Sequence, residues 1–244
     1  MSKNFLKWAA VLLIVMWLAV GCGNGDGAAT PGASTPEAAA PETPSGQAAT
    51  VEFKAEVWAD NWFALYVNGE LVGEDSVSIT TERSFNAETI TFTAAYPLTI
   101  AIEAKDFKET DSGLEYIGER NQQMGDGGII AQITDLSTGN VVAVTNSGWK
   151  VLVIHRAPLN PECENAADPN TTCRFEKTDA PPGWTSAGFA ADQWDSATEW
   201  TEAAVRPRDG YNRIQWDESA RLIWGSDLEI DNTILLRLTV AAPS

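Results

Sequence analysis

Between Val51 and Ser244 the chain is built from short runs of β-branched and aromatic residues, separated by turn signals, and none carries a helical period over ten or more residues. VEFKAEVW (51–58) alternates apolar and polar side chains. WFALYV (62–67) is followed by Asn68-Gly69 and then ELVG, and an Asn-Gly pair tolerates the positive φ that tight hairpins need. Further strand-like runs are VSIT (77–80), ETITFTA (88–94), PLTIAIEA (97–104) and GIIAQIT (128–134). After the turn Ser137-Thr138-Gly139-Asn140 come VVAVT (141–145) and WKVLVI (149–154), and the chain closes with RLIW (221–224) and NTILLRLTV (232–240). A long irregular stretch runs from Arg156 to about Arg213, with room for one turn of helix near Ser196–Val205. No linker or repeat interrupts these 194 residues. The pattern predicts one all-β domain, an antiparallel β-sandwich of the jelly-roll kind.

The first fifty residues do not fit that pattern. Lys3 and Lys7 precede a 13-residue apolar run, Trp8 to Val20. Such a run is short for a membrane-spanning helix, which needs roughly 20 residues, and suits an export signal. Ala19-Val20-Gly21-Cys22 resembles the lipobox of bacterial lipoproteins, with Ala19 where that motif usually has Leu. The resemblance implies that Cys22 is lipidated and becomes the mature N-terminus. Gly23 to Thr50 holds no aromatic and no large aliphatic side chain, so it cannot offset the entropy of ordering and is expected to be a disordered tether. Its 28 residues reach about 30 Å as a flexible coil. The expected organisation is a signal peptide (1–21), a lipidated Cys with its tether (22–50) and the β-domain (51–244).

Charge narrows the function classes. Asp and Glu number 34 against 16 Lys and Arg, for a net charge of −18. Nucleic-acid binding depends on clustered cations and is excluded as an expectation. One histidine, His155, rules out a His-rich metal site, and its place at the end of an apolar run marks it as a strand-end residue. No GxSxG, HExxH or P-loop pattern occurs. An exported domain permits disulfides, and with Cys22 lipidated, Cys163 and Cys173 remain as a pair.

The order of several phrases resembles the galactose-binding-like jelly roll found in many carbohydrate-binding modules. These phrases are Asp60-Asn61 with LYVNGELVG (65–73), PLTIAIEAKD (97–106), GGIIAQI (127–133), SGWKV (147–151), ADQWDSA (191–197) and the closing LIWGSD…LLRLTV. The resemblance covers 51–244 and implies sugar binding without catalysis. It also implies that Trp149, Trp194 and Trp224 pack inside. The stretch around 156–190 departs from the compact family pattern, as an insertion able to cover or remodel a site.

Eight tryptophans lie in the domain. An exposed aromatic ring can stack on the C–H face of a sugar. Trp184 and Trp200, in the polar contexts PPGWTS and ATEWTE, are the expected ligand-binding aromatics, together with Tyr116; Tyr211 shares their loop context. The loop from Lys105 to Gly128 is the longest polar connection in the β region, and such loops often carry binding. Within it Arg120, Asn121 and Gln122 offer donors for hydroxyls. Ca²⁺ is an expected structural cofactor, with Asp106, Asp111 and Asp126 as ligands, or Asp168 with Asn170. The leading expectation is a non-catalytic lipoprotein on the bacterial cell surface, anchored in the membrane only through its lipid, that binds a glycan. The alternatives are a structural or protein-interaction module of the envelope, and a small glycan-active hydrolase using paired carboxylates.

Overall fold

The computed structural model describes residues 49–81 and 85–243. The signal peptide, Cys22 and nearly all of the expected tether lie outside the described residues.

Alternating side chains explain the strands. In β1 (Thr50–Asp60) Phe53, Ala55, Val57 and Ala59 point into the core, while Lys54 and Glu56 point out. The chain continues through β2 (Trp62–Val67), β3 (Glu70–Glu74), β4 (Ala87–Ala95) and β5 (Leu98–Lys105). Asn68-Gly69 forms the β2–β3 turn with φ of 54° and 96°, as its composition requires. The small hairpin of β6 (Leu114–Glu115) and β7 (Gln123–Met124) leads into β8 (Gly128–Asp135), β9 (Val141–Val144) and β10 (Lys150–Arg156). Short strands β11 (Glu176–Lys177), β12 (Asp195–Ser196) and β13 (Thr198–Trp200) precede β14 (Leu222–Trp224) and β15 (Asp231–Val240). A single helical turn, Glu202–Val205, is capped by the Thr201 hydroxyl, which accepts from the Ala204 N–H.

Every pairing is antiparallel. The first sheet has the order β13-β14-β8-β1-β4, with β9 beside β8; the second runs β11-β10-β15-β5-β2-β3, with β12 beside β10. One apolar cluster takes side chains from both sheets, including Phe53, Val57, Ile129 and Ile133 from the first and Phe63, Leu65, Ile100, Ile102, Ile234 and Leu236 from the second. The molecule is therefore an antiparallel β-sandwich, in an arrangement compatible with a jelly roll.

Each outer face is covered as well. Trp58, on the outer face of β1, is buried under Val205, Tyr211, Ala220 and Leu222. On the outer face of the second sheet Ala101 and Leu235 lie under Trp184 and Trp194, with Phe189 packed beside them. The irregular stretch is thus a third layer.

One expected strand is absent. Residues 77–80 form bends and a turn. There the Asp75 carboxylate accepts from the Val77 N–H at 2.8 Å, and the Ser78 and Thr80 hydroxyls bond to each other at 2.9 Å. Such local bonds outcompete a ladder.

Cys163 and Cys173 form a disulfide. Both are buried and pack on Leu114, with Ile117 and Met124 beside it. Replacing both by Ser is expected to cost about 2–3 kcal/mol, the loop-closure entropy of a crosslink this short. Urea denaturation measures the loss, and faster proteolysis between 114 and 124 locates it.

Candidate functional site

The strands define two poles. At one pole β1 and β5 end, β2 and β15 begin, and β10 finishes beside them. Backbone bonds tie these ends together: Asn61 N–H to Lys105 O and Asp106 N–H to Asn232 O, both 2.9 Å. The Asn61 side chain accepts from the Phe107 N–H at 2.6 Å. Asn232 donates to the carbonyls of Ala157 (2.6 Å) and Ile230 (2.9 Å). The corner is therefore rigid.

Asp106 sits at its centre, only 2% exposed, and neither carboxyl oxygen has a hydrogen-bond partner. Burial, then the nearby carboxylates of Glu115, Asp60 and Asp126, pushes Asp106 well above its ordinary value. Asp60 is raised in the same way, first by burial and then by Asp126 and Glu115. Burial lifts Glu115 to about 7, although Gln123 donates to it at 2.9 Å and opposes the shift. Asp126 is raised by burial, against the pull of Arg206 and Arg208.

The segment Gly125–Gly128 makes this close approach possible. A Cβ on Gly125 would lie 1.7 Å from an Asp106 carboxyl oxygen, and one on Gly128 would meet Val205 at 2.5 Å. A Cβ on Gly127 would press into the Trp224 ring at 2.2 Å. Trp224 is fully buried and donates its indole N–H to the Asp231 carbonyl at 2.6 Å, so it cannot move aside. Gly127→Ala is expected to cost at least about 2–3 kcal/mol by overpacking, read as a fall in the urea midpoint.

Two hollows flank Asp106. The acidic one, of about 170 Å³, is lined by Glu115, Tyr116, Gln123, Asp126, Arg206, Arg208 and Phe85. Arg206 stands 3.7 Å from Asp126, and Arg208 lies 5.6 Å from the centre of the Phe85 ring. The other is a cleft of about 340 Å³ at the open end of the second sheet's outer face. Ile79 and Ile154 give it an apolar wall; Glu103, Lys105, Lys108, Lys177, Thr178, Thr233 and His155 give it polar groups, and Asp106 lines it from below. Lys105 also lies 4.6 Å above the Trp62 ring.

The sequence-predicted residues distribute unevenly. Tyr116 and Asp126 line the smaller hollow, and Asp106 lines the larger cleft. The exposed ring expected at Trp184 needs correction: it is 9% exposed and packs against Trp194 and Tyr66. Trp200 is half-buried and donates its indole N–H to the Gly225 carbonyl at 3.2 Å, away from both hollows. Arg120 and Asn121 are exposed on the loop surface. Gln122 donates to the carbonyls of Glu164 (2.5 Å) and Ala166 (3.2 Å), which makes it a brace for the disulfide loop. Tyr211 is buried, its hydroxyl donating to Glu202 at 3.0 Å.

The calcium set is not assembled as expected. Asp111 lies on the lysine side, 3.1 Å from Lys108 and 3.0 Å from Lys177, which hold its carboxyl low. Asp168 and Asn170 are exposed. Among the described residues no three His, Cys, Asp or Glu side chains stand close enough to share a metal ion.

Asp60 is read only as part of a strand phrase, and Glu115, Phe85, Arg206, Arg208 and the three lysines are not among the expected site residues. Asp60 closes a strand and Glu115 sits in the long polar loop, which is the signal available for those two. Nothing in the sequence joins residues 206 and 208 to residue 126. No family model matches the chain, and no curated protein or solved structure is similar to it.

Proposed function

We propose that the domain is a non-catalytic carbohydrate-binding module, presented on the bacterial cell surface by a lipid at Cys22. The observation that carries this reading is the open cleft beside Asp106. Sugar recognition needs a hollow of ring size, an apolar wall, and donors and acceptors in fixed places. The cleft offers the Ile79–Ile154 wall, lysine donors, the Glu103 acceptor and the Thr178 and Thr233 hydroxyls, which do both. It stands on strand ends, so its groups are held before a ligand arrives. The buried Trp184 removes one aromatic platform from the reading, so the reading turns on the cleft.

The test is a glycan array probed with the full chain in mild detergent, with and without a chelator. Selective binding that weakens at least tenfold in a Glu103→Gln, Thr233→Val variant is expected. A folded protein that binds no glycan overturns the reading. The chelator arm tests calcium separately.

A second reading, a small hydrolase, is favoured by Glu115. It is a buried carboxyl with a value near 7, beside the more exposed Asp126 in the acidic hollow. A group that keeps its proton near neutrality suits a general acid. Release of reducing ends from a bound glycan, abolished in Glu115→Gln, would favour this reading over pure binding.

A further inference from the structure

Only five lysines lie between residues 51 and 244, and three of them line one cleft. They come from separate places: Lys105 ends β5, Lys108 lies in the loop after it, and Lys177 belongs to β11 at the edge of the same sheet. The chain as a whole carries −18, so this gathering runs against its composition.

The pairing inside the cleft is incomplete. Lys105 stands 3.0 Å from Glu103. Lys108 and Lys177 share one carboxylate, Asp111, at 3.1 and 3.0 Å. Asp106 is buried among other carboxyls, an environment that favours its neutral form. Three ammonium groups therefore face two matched carboxylates. His155 adds no charge: burial, and then the Lys108 charge, lowers it to about 4. Its Nε2–H donates to the Asp111 carbonyl at 3.3 Å, which leaves Nδ1 as a bare acceptor, buried and without a partner. One uncompensated cation beside the Thr178 and Thr233 side chains and the Glu103 carboxylate matches a ligand that carries both an anion and hydroxyl groups.

We propose that this cleft binds an acidic sugar unit, one bearing a single carboxylate or sulfate, with Lys108 and Lys177 holding the anion and the Ile154 side of the cleft facing the ring. The proposal rests on the carbohydrate-binding reading and names its ligand class. The acidic remainder of the protein does not forbid it. At physiological salt, charges more than about 8 Å apart are largely screened, so the pairing inside the cleft decides.

The test titrates the full chain with a glucuronate-terminated disaccharide, its uncharged methyl ester and the corresponding sulfated disaccharide. At least tenfold tighter binding of the acid than of the ester is expected. Lys177→Met and Lys108→Met should each weaken the acid about fivefold or more and leave the ester unchanged, while Lys54→Met, on the other sheet, changes neither. Lys177 is half-exposed, so its replacement leaves the fold intact. Binding of the sulfated sugar alone, the acid alone or both supports the proposal and identifies the anion. Equal binding of acid and ester overturns it while leaving the carbohydrate reading standing. Acid binding that no lysine variant weakens overturns the cleft assignment. No binding of any of the three, alongside a glycan array on which the same protein binds nothing, overturns both.

Discussion

Acidification from pH 8 to pH 5 is expected to stabilise the folded domain. Glu115 titrates near 4.5 in an unfolded chain and near 7 in the fold. Between those values the native state holds a proton that the unfolded state has lost, so stability falls as pH rises across that window. The contribution lost by pH 8 is about 2–3 kcal/mol. Asp60 and Asp106, raised first by burial and then by neighbouring carboxylates, act in the same direction. Asp135 and Asp217 are lowered, chiefly by the Ser137 and Ser219 hydroxyls that donate to them. Their stabilisation is complete above about pH 4 and is lost only below it, so they do not oppose the effect in this window. His155 does oppose it: burial lowers it from 6.5 to about 4, so below pH 6.5 the unfolded chain holds a proton that the fold lacks, at a cost of about 2 kcal/mol by pH 5. Asp75, lifted by burial to about 6, acts with Glu115, and the raised acids together outweigh the histidine. Urea midpoints measured at pH 5, 6, 7 and 8 give the slope. Glu115→Gln should raise the midpoint at pH 8 and barely change it at pH 5. A Glu115→Gln midpoint at pH 8 no higher than that of the parent chain contradicts the buried-acid account.

Removal of the Arg237 guanidinium is expected to release the third layer. Arg237 projects from β15 to the outer face, is 5% exposed, and donates to the carbonyls of Trp184, Ser186 (3.1 Å) and Phe189 (3.2 Å). It also lies 5.3 Å from the Phe189 ring centre. One planar fork thus satisfies three carbonyls of a segment with little regular structure. Arg237→Ala removes the guanidinium from all three acceptors, of which only the Ser186 carbonyl keeps another donor, the Phe189 N–H at 3.2 Å, and should cost about 3 kcal/mol or more. Trp184 and Trp194 should then shift their fluorescence to the red, and protease should cut within 181–194. Arg237→Lys should recover only part of the loss, since one ammonium cannot span three carbonyls. Unchanged emission in Arg237→Ala would mean that packing alone holds the segment.

The sandwich was legible because strands such as β1 and β5 show one inward and one outward set in the sequence itself, while β15, apolar at Ile234, Leu235 and Leu236 alike, is covered on both faces. The disulfide was legible from two cysteines left as a pair once the chain is read as an exported one. Residues 77–80 misled, because β-branched composition cannot register an Asp75 side chain that takes the backbone N–H first. Trp184 misled for a related reason. Its neighbours in sequence are polar, and its neighbours in space, Tyr66 and Trp194, are not. The two hollows were out of reach: Lys105 and Lys177, or Asp126 and Arg206, meet only because strands 70 or more residues apart end at one corner. Local spacing holds no trace of such a meeting. The glycines at 125, 127 and 128 were visible as permissive, but the Asp106 carboxyl and the Trp224 ring they make room for were not.

The polarity of the strands has a mechanical consequence. β1 starts at Thr50 and delivers Asp60 to the corner, while β15 leaves that corner at Asp231 and finishes at Val240, opposite Leu98. These two strands therefore open onto the pole away from the cleft, roughly 33 Å along the strand direction. A load applied through either strand end pulls on the far side of the sandwich. Coupling to a bead, a sensor surface or a fusion partner through either end leaves the cleft turned outward, and a force probe gripping the two ends would peel β1 and β15 from that far pole, each within its own sheet, before it reached the corner that bears Asp106.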